Sequence, residues 1–173
     1  LNMTRDSLAL ASNVALVLDQ STSAVLFEKN ADVTLPIASI TKLMTGLVVV
    51  EAQQDMNEIL EVTAEDIDRE KNSTSRLRVG SQLSRANMLH IALMSSENRA
   101  ASALGRHYPG GIRAFVAAMN AKARSLGMSG THYVDSTGLS SNNVASASDL
   151  AKLVMAAYHL SLIHISEPTR QEA

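Results

Sequence analysis

The chain has 173 residues, 46% of them hydrophobic and 18% charged, with a net charge of −2 and no cysteine. That is long enough to bury a real core and too apolar for a disordered chain. The charge balance argues against a nucleic-acid partner, and the missing cysteines exclude disulfide staples and thiolate metal sites.

Residues 1–11 give no clear secondary-structure signal. They carry no basic-then-apolar leader, so a signal peptide is expected to have been removed or never included. Val14 to Leu18 and Ala24 to Phe27 are short apolar runs around Asp19-Gln20-Ser21-Thr22-Ser23, which predicts a β-hairpin with a five-residue loop. The first run is apolar throughout and expects cover on both faces. Two strands alone are marginal in water, so the hairpin needs more sheet.

Next comes Leu35-Pro36-Ile37-Ala38-Ser39-Ile40-Thr41-Lys42-Leu43-Met44-Thr45. Pro36 fixes the chain ahead of an apolar run that turns helical. Leu43, Met44, Leu47, Val48, Val49 and Val50 leave that helix little polar face, so it reads as buried. Gly46 in mid-helix costs about 1 kcal/mol against Ala, and close helix packing is the expected reason for it. Ser39 and Lys42, three residues apart, fall on one face, roughly 60° apart around the axis. A hydroxyl beside an amine makes a nucleophile with its own base where the site is dry. The spacing alone is weak, because a helix-start Ser followed by a solvated Lys would produce it equally well.

Glu51 to Glu61 is a polar connection, and Thr63-Ala64-Glu65-Asp66 predicts a capping box opening a short helix. Asp68 to Ser81 carries Arg69, Lys71, Arg76 and Arg78. It reads as a solvated loop, with a cleft-edge loop meeting an anionic peptide as the functional alternative. Ser84 caps a helix over Arg85 to Met94, and a second helix begins near Ser96 and runs to about His107. Tyr108-Pro109-Gly110-Gly111 is a turn. Ile112, Phe115, Val116, Met119, Ala123 and Leu126 then follow helical spacing to a stop at Gly127. Thr131 to Asp135 is a short extended piece. Ser146-Ala147-Ser148-Asp149 is another capping box, opening a helix with Leu150, Leu153, Val154 and Ala157 on one face. The pattern breaks after Leu160. Residues 1–160 therefore read as one domain, and 161–173 as a foreign, unstructured tail.

The S-x-x-K of Ser39 and Lys42 gains meaning from Ser96-Glu97-Asn98, which follows the apolar run Met88 to Met94. This pairing resembles the penicillin-recognising serine hydrolases, in particular their low-molecular-mass D-alanyl-D-alanine peptidases. The resemblance runs from about Ser12 to Tyr158 and includes PIASITKLMT, ALMSSENRAA, HYPGG, AMNAKARSLGM and STGLSSNNVASASDL. It implies an α/β (α+β) fold of the serine β-lactamase/D,D-peptidase type, an N-terminal β-hairpin plus a mostly helical domain. It also implies an endopeptidase or carboxypeptidase acting on peptidoglycan cross-links through a Ser39 acyl-enzyme. Ser39 matches the nucleophile, Lys42 the base or base-orienting residue, Ser96 the proton relay and Asn98 the substrate-holding amide. Glu97 fills the variable middle position, where a solvated helix-start carboxylate and a catalytic role are equally open readings.

The same resemblance implies a periplasmic enzyme with a peptidoglycan peptide as substrate, β-lactams as covalent inhibitors, and no cofactor. The family's third motif, K-T-G or K-S-G, does not occur among the 173 residues, so the C-terminal strands of the sheet are expected to be missing. A lost oxyanion donor costs about 10² to 10³ in rate, so acylation by this chain alone is expected to be impaired. A β-lactamase-like serine hydrolase is the rival within enzymes. A non-catalytic helical fragment that only binds is the rival outside them.

Two further S-x-N matches, Ser140 to Asn142 and Ser141 to Asn143, sit in a turn where loop hydrogen bonding explains them better. His90 reads as a partly buried helix residue, His107 as a helix end and His132 as part of a loop or short strand. His159 and His164 lie near or in the tail. No histidine pair has ligand spacing, so no metal site is expected. Asp135 and Asp149 are better explained by a turn and a cap than as a catalytic acid pair.

Overall fold

The apolar run after Pro36 becomes helix α1, Thr41–Glu51, around which the domain packs. The structure is a computed structural model that describes the backbone over 15–19, 24–29, 34–36 and 40–166, and side chains over 40–160. Met44, Leu47, Val48 and Val49 of α1 are buried together with Thr41, Lys42, Thr45 and Gly46. The helix thus hides Thr41, Lys42 and Thr45 along with its apolar groups and leaves Glu51 at its end exposed. It touches each of four further helices: α2 (Arg85–Met94), α3 (Asn98–Arg106), α4 (Gly111–Ser125) and α5 (Ala147–Ser166). Gly46 has the role its position suggested. A Cβ there would lie 3.2 Å from both Leu93 methyls of α2, so the close approach of the two helices depends on its absence.

Local signals set the helix ends. The Ser84 hydroxyl accepts the Asn87 N–H at 3.1 Å and caps α2. Gly127, with φ +75°, ends α4 where a left-handed residue is needed. At the predicted capping box, Asp66 accepts the Thr63 N–H at 2.9 Å and the short turn 64–66 is 3₁₀-helical. The same carboxylate anchors α3 by accepting from Ser102 Oγ at 2.6 Å and Arg106 Nη2 at 2.9 Å. Arg85, 1% exposed, is neutralised by Glu58 at 2.8 Å and donates to the Asp55 carbonyl. A buried guanidinium left unpaired would cost several kcal/mol.

Strands β1 (Ala15–Asp19) and β2 (Ala24–Lys29) form the predicted antiparallel hairpin, pairing Asp19 with Ala24 and shifting register between Val17 and Leu18. Its loop, 20–23, lies outside the described residues. β1 lies against α5, which supplies cover for one side of the hairpin. Two short pairings connect distant parts of the chain. β3 (Thr34–Pro36) pairs antiparallel with β6 (Val144–Ser146), setting Leu35 opposite Ala145. β4 (Ile59–Glu61) pairs with β5 (Gln82–Ser84) and closes the base of the 62–81 loop. The architecture is mixed α/β, mostly helical, with short sheets at its edges.

The expectation of an unstructured tail from residue 161 is corrected over its first part, because α5 continues unbroken through Ser166. Nothing between 160 and 166 breaks a helix, whereas Pro168 disfavours helical backbone at the residue before it. Residues 167–173 lie outside the described residues.

Candidate active site

Lys42 sits in the first turn of α1, 3% exposed, and its Nζ donates to the Thr137 carbonyl at 2.8 Å. Burial pushes its pKa below the usual lysine value, and the negative charges of Asp135 and then Glu97 act against that shift. Burial and the two carboxylates thus act on this amine in opposite directions, with burial the larger effect. One turn along α1, Thr45 Oγ1 donates to the Ser136 carbonyl at 2.7 Å. The polar stripe of an otherwise apolar helix is therefore fastened to the segment 135–140.

That segment is shaped by Asp135, whose carboxylate accepts the backbone N–H groups of Thr137 at 3.1 Å, Gly138 at 2.7 Å and Ser140 at 2.9 Å. Asn143 Nδ2 donates to it as well, at 2.8 Å. On the other side Ser136 Oγ donates to the Ala101 carbonyl of α3 at 2.9 Å. The segment can pass so close to α3 because Gly105 has no side chain; a Cβ there would sit 2.8 Å from Ser136 Oγ. Asp135 is a turn-former, as expected, but it also faces Lys42. Asp149 likewise combines roles: its N–H caps onto Ser146 Oγ at 3.1 Å, and its carboxylate accepts from Gly130 N at 2.8 Å and Thr131 Oγ1 at 2.7 Å.

Ser96 lies between α2 and α3, exposed, with φ +51°. A left-handed conformation in a residue other than Gly carries strain of about 1 kcal/mol or more, and such strain concentrates at functional sites. Asn98 opens α3 and its Nδ2 donates to Ser73 Oγ at 3.1 Å. Glu97 departs from expectation: it is 9% exposed rather than solvated. Its carboxylate accepts the Ser75 hydroxyl, the longer of two contacts being 3.1 Å, and the Arg76 N–H at 3.2 Å.

The 68–81 loop is thus half docked, with its middle on the S-E-N turn and Arg69, Lys71, Arg76 and Arg78 exposed. Asp68 orders its near end, accepting from the N–H groups of Glu70 at 2.8 Å, Lys71 at 3.0 Å and Ser73 at 2.8 Å. Those bonds hold its carboxyl well below the usual carboxylate range.

Of the site residues chosen from sequence, Lys42, Ser96 and Asn98 are described, and Ser39 lies outside the described residues. The structure links Lys42 to Glu97 electrostatically and to Thr137 by hydrogen bond. Sequence reasoning missed Thr137, and it missed the burial of Glu97; the run S-T-G-L was the only available signal for the first. The rival S-x-N matches are spent inside their loop. Asn143 Oδ1 accepts from Val134 N at 2.8 Å, and Ser140 Oγ accepts from Asn142 N at 3.2 Å. His90 is exposed on α2 rather than partly buried, and His107 ends α3 as expected. Among the described residues no cluster of His, Cys, Asp and Glu could hold a metal ion.

The family model for D-alanyl-D-alanine carboxypeptidases matches residues 2–172. The D-alanyl-D-alanine endopeptidase of Pseudomonas aeruginosa is 52% identical over 154 residues, covering 89% of this chain and 50% of that protein. Its Escherichia coli counterpart is 47% identical over 163 residues, covering 94% and 53%. Among solved structures, penicillin-binding protein D2 of Listeria monocytogenes in its ampicillin-bound form superposes with TM-score 0.76 at 28% identity, covering 90% of this chain and 64% of that one. The carboxypeptidase DacD of Francisella tularensis gives TM-score 0.75 at 26% identity, covering 85% and 37%. The chain spans about half the length of the curated relatives it matches.

Proposed function

The chain belongs to the D-alanyl-D-alanine carboxypeptidase family, and from that premise we propose that it forms the acylating part of a serine D-alanyl-D-alanine endopeptidase or carboxypeptidase. The observation that carries the reading is Lys42, a buried amine on a buried helix with a fixed carbonyl acceptor and two carboxylates in reach of its charge. In the proposed reaction Ser39 Oγ adds to the carbonyl of a D-alanyl peptide bond while Lys42 takes the hydroxyl proton. Ser96 gives its hydroxyl proton to the leaving nitrogen and takes in its place the proton held by Lys42, the C–N bond breaks, and the acyl group remains as an ester on Ser39. Water then cleaves the ester and regenerates the hydroxyl. Asn98 holds the substrate backbone.

The substrate is a peptidoglycan peptide, β-lactams form the corresponding stable ester, and the setting is the periplasm, where cross-linked peptidoglycan is found. The relatives' names support this over a β-lactamase-like hydrolase or a fragment that only binds. In the same proposal the domain proper closes near Leu160, and residues 161–173 add no packing to it.

The experiment is digestion of purified cross-linked muropeptides by the chain continued past Leu160 with the C-terminal half of the Pseudomonas aeruginosa relative. Continuation matters because K-T-G is absent from the 173 residues. We expect loss of cross-linked dimers or release of D-alanine, either abolished by Ser39→Ala. Undiminished cleavage by the Ser39→Ala chain would overturn the reading.

A further inference from the structure

The middle residue of Ser96-Glu97-Asn98 has no role in the chemistry described above, yet it is the buried one. Glu97 receives the Ser75 hydroxyl and the Arg76 N–H, and its neighbours continue the attachment. Asn98 Nδ2 reaches Ser73 Oγ at 3.1 Å, and Arg99 Nη1 reaches the Leu77 carbonyl at 2.8 Å. Within the loop Leu77 N–H donates to Ser75 Oγ at 3.1 Å, so the hydroxyl relays the Glu97 charge one step further. Three consecutive residues of the α3 start thereby hold segment 73–77 along its length. Hydrogen bonds with an ionised partner are about twice as strong as neutral ones, which makes the Glu97 and Arg99 ties the stronger of these.

We propose that Glu97 is a positioning residue: it clasps segment 73–77 onto the start of α3 and thereby fixes the Asn98 amide and the turn at Ser96. The inference rests on the reading of Ser96 and Asn98 as site residues. The clasp acts through geometry. With Glu97 in place, Ser73 is held where it takes one N–H of Asn98 and fixes the plane of that amide. Without it, Ser75 and Arg76 are released, Ser73 is held from the Asp68 side alone, and the Asn98 amide faces a hydroxyl whose position is less fixed. Glu97 has a second, separable effect, because its charge and that of Asp135 are the negative groups acting on Lys42, one from the start of α3 and one from the 135–140 segment.

The test compares Glu97→Gln, Glu97→Ala and Ser75→Ala by two measurements. Hydrogen exchange is read at the Arg76 and Leu77 amides of the 173-residue chain. The acylation rate constant with a fluorescent penicillin is read across pH in the chain continued with the relative's C-terminal half. All three variants should exchange faster at those amides. Glu97→Ala should lose about ten- to a hundredfold in acylation, the scale of a misplaced catalytic group, with Glu97→Gln between it and the unmodified chain. Glu97→Gln should also move the rise of acylation with pH to lower pH, since one carboxylate favouring charged Lys42 is gone. Ser75→Ala keeps both charges and should leave that rise in place while slowing acylation. Unchanged exchange in Ser75→Ala and Glu97→Gln would overturn the clasp. Faster exchange with unchanged acylation would overturn its positioning role. No acylation in the unmodified continued chain would count instead against Ser39 as nucleophile, and the exchange measurement would still decide the clasp.

Discussion

Replacing Gly105 with Ala tests how tightly the segment that carries the Lys42 acceptor is wedged against α3. The new methyl carbon would meet Ile112 Cδ1 at 2.7 Å, Ser136 Oγ at 2.8 Å and Ser136 Cβ at 3.1 Å. Ile112 is 39% exposed and its terminal methyl can rotate away. Ser136 has no such freedom. It is 1% exposed, its hydroxyl is tied to Ala101 at 2.9 Å, and its carbonyl accepts from Thr45 at 2.7 Å. Overpacking of this kind costs about 1–3 kcal/mol, and the better helix propensity of Ala returns about 1. The expected net loss is on the order of 1 kcal/mol, which lowers Tm by about 2–4 °C in a chain of this size. Because Thr137 follows Ser136 directly, acylation in the continued chain should fall further than this stability loss alone would cause. Thermal unfolding followed by circular dichroism, with penicillin labelling alongside, provides both readings. A variant that gains Tm, as propensity alone predicts, would refute the wedge.

Ser96→Gly removes the cost of a left-handed serine and should raise stability by about 1 kcal/mol while abolishing acylation; a lower Tm would show that the φ of +51° carries no strain. Lys42 has a folded pKa below 10.5, so between that lowered value and 10.5 the unfolded chain binds more protons than the folded one. Its contribution to stability therefore rises with pH through that window. Lys42→Met should flatten that rise in urea titrations, and parallel curves for the two chains would contradict the assignment. Deleting residues 161–173 should leave the unfolding free energy from urea titration within about 0.5 kcal/mol of that of the 173-residue chain, the range of changes that touch no packing, and a larger loss would show that the end of α5 is part of the core.

What could be read from the sequence was what local chemistry decides. α2 carries its own start signal in Ser84 and α4 its own stop signal in Gly127, and the hairpin is written in two apolar runs around a polar loop. The Ser39/Lys42 spacing and the Ser96/Asn98 pair were likewise visible as patterns. What escaped depends on partners far along the chain. β3 and β6 are three-residue strands separated by more than a hundred positions, too short to leave a periodicity. Lys42 finds its acceptor 95 residues away, at a backbone carbonyl that no side-chain motif marks. Glu97 was misjudged because a carboxylate at a helix start is solvated by default. Here Ser75 and Arg76, more than twenty residues earlier, bury it. α5 continues past Leu160 although the amphipathic pattern breaks there, because loss of the pattern does not by itself end a helix.

The account turns on Ser39 being the acylated residue, with Lys42 as its base. The direct measurement is intact-mass and peptide-mapping mass spectrometry after reaction of the continued chain with a penicillin. One covalent adduct is expected, on the peptide containing Ser39, lost in Ser39→Ala and in Lys42→Met. The 173-residue chain alone should form it weakly or not at all. An adduct mapped to any other residue, or one that survives in Lys42→Met, would contradict the account.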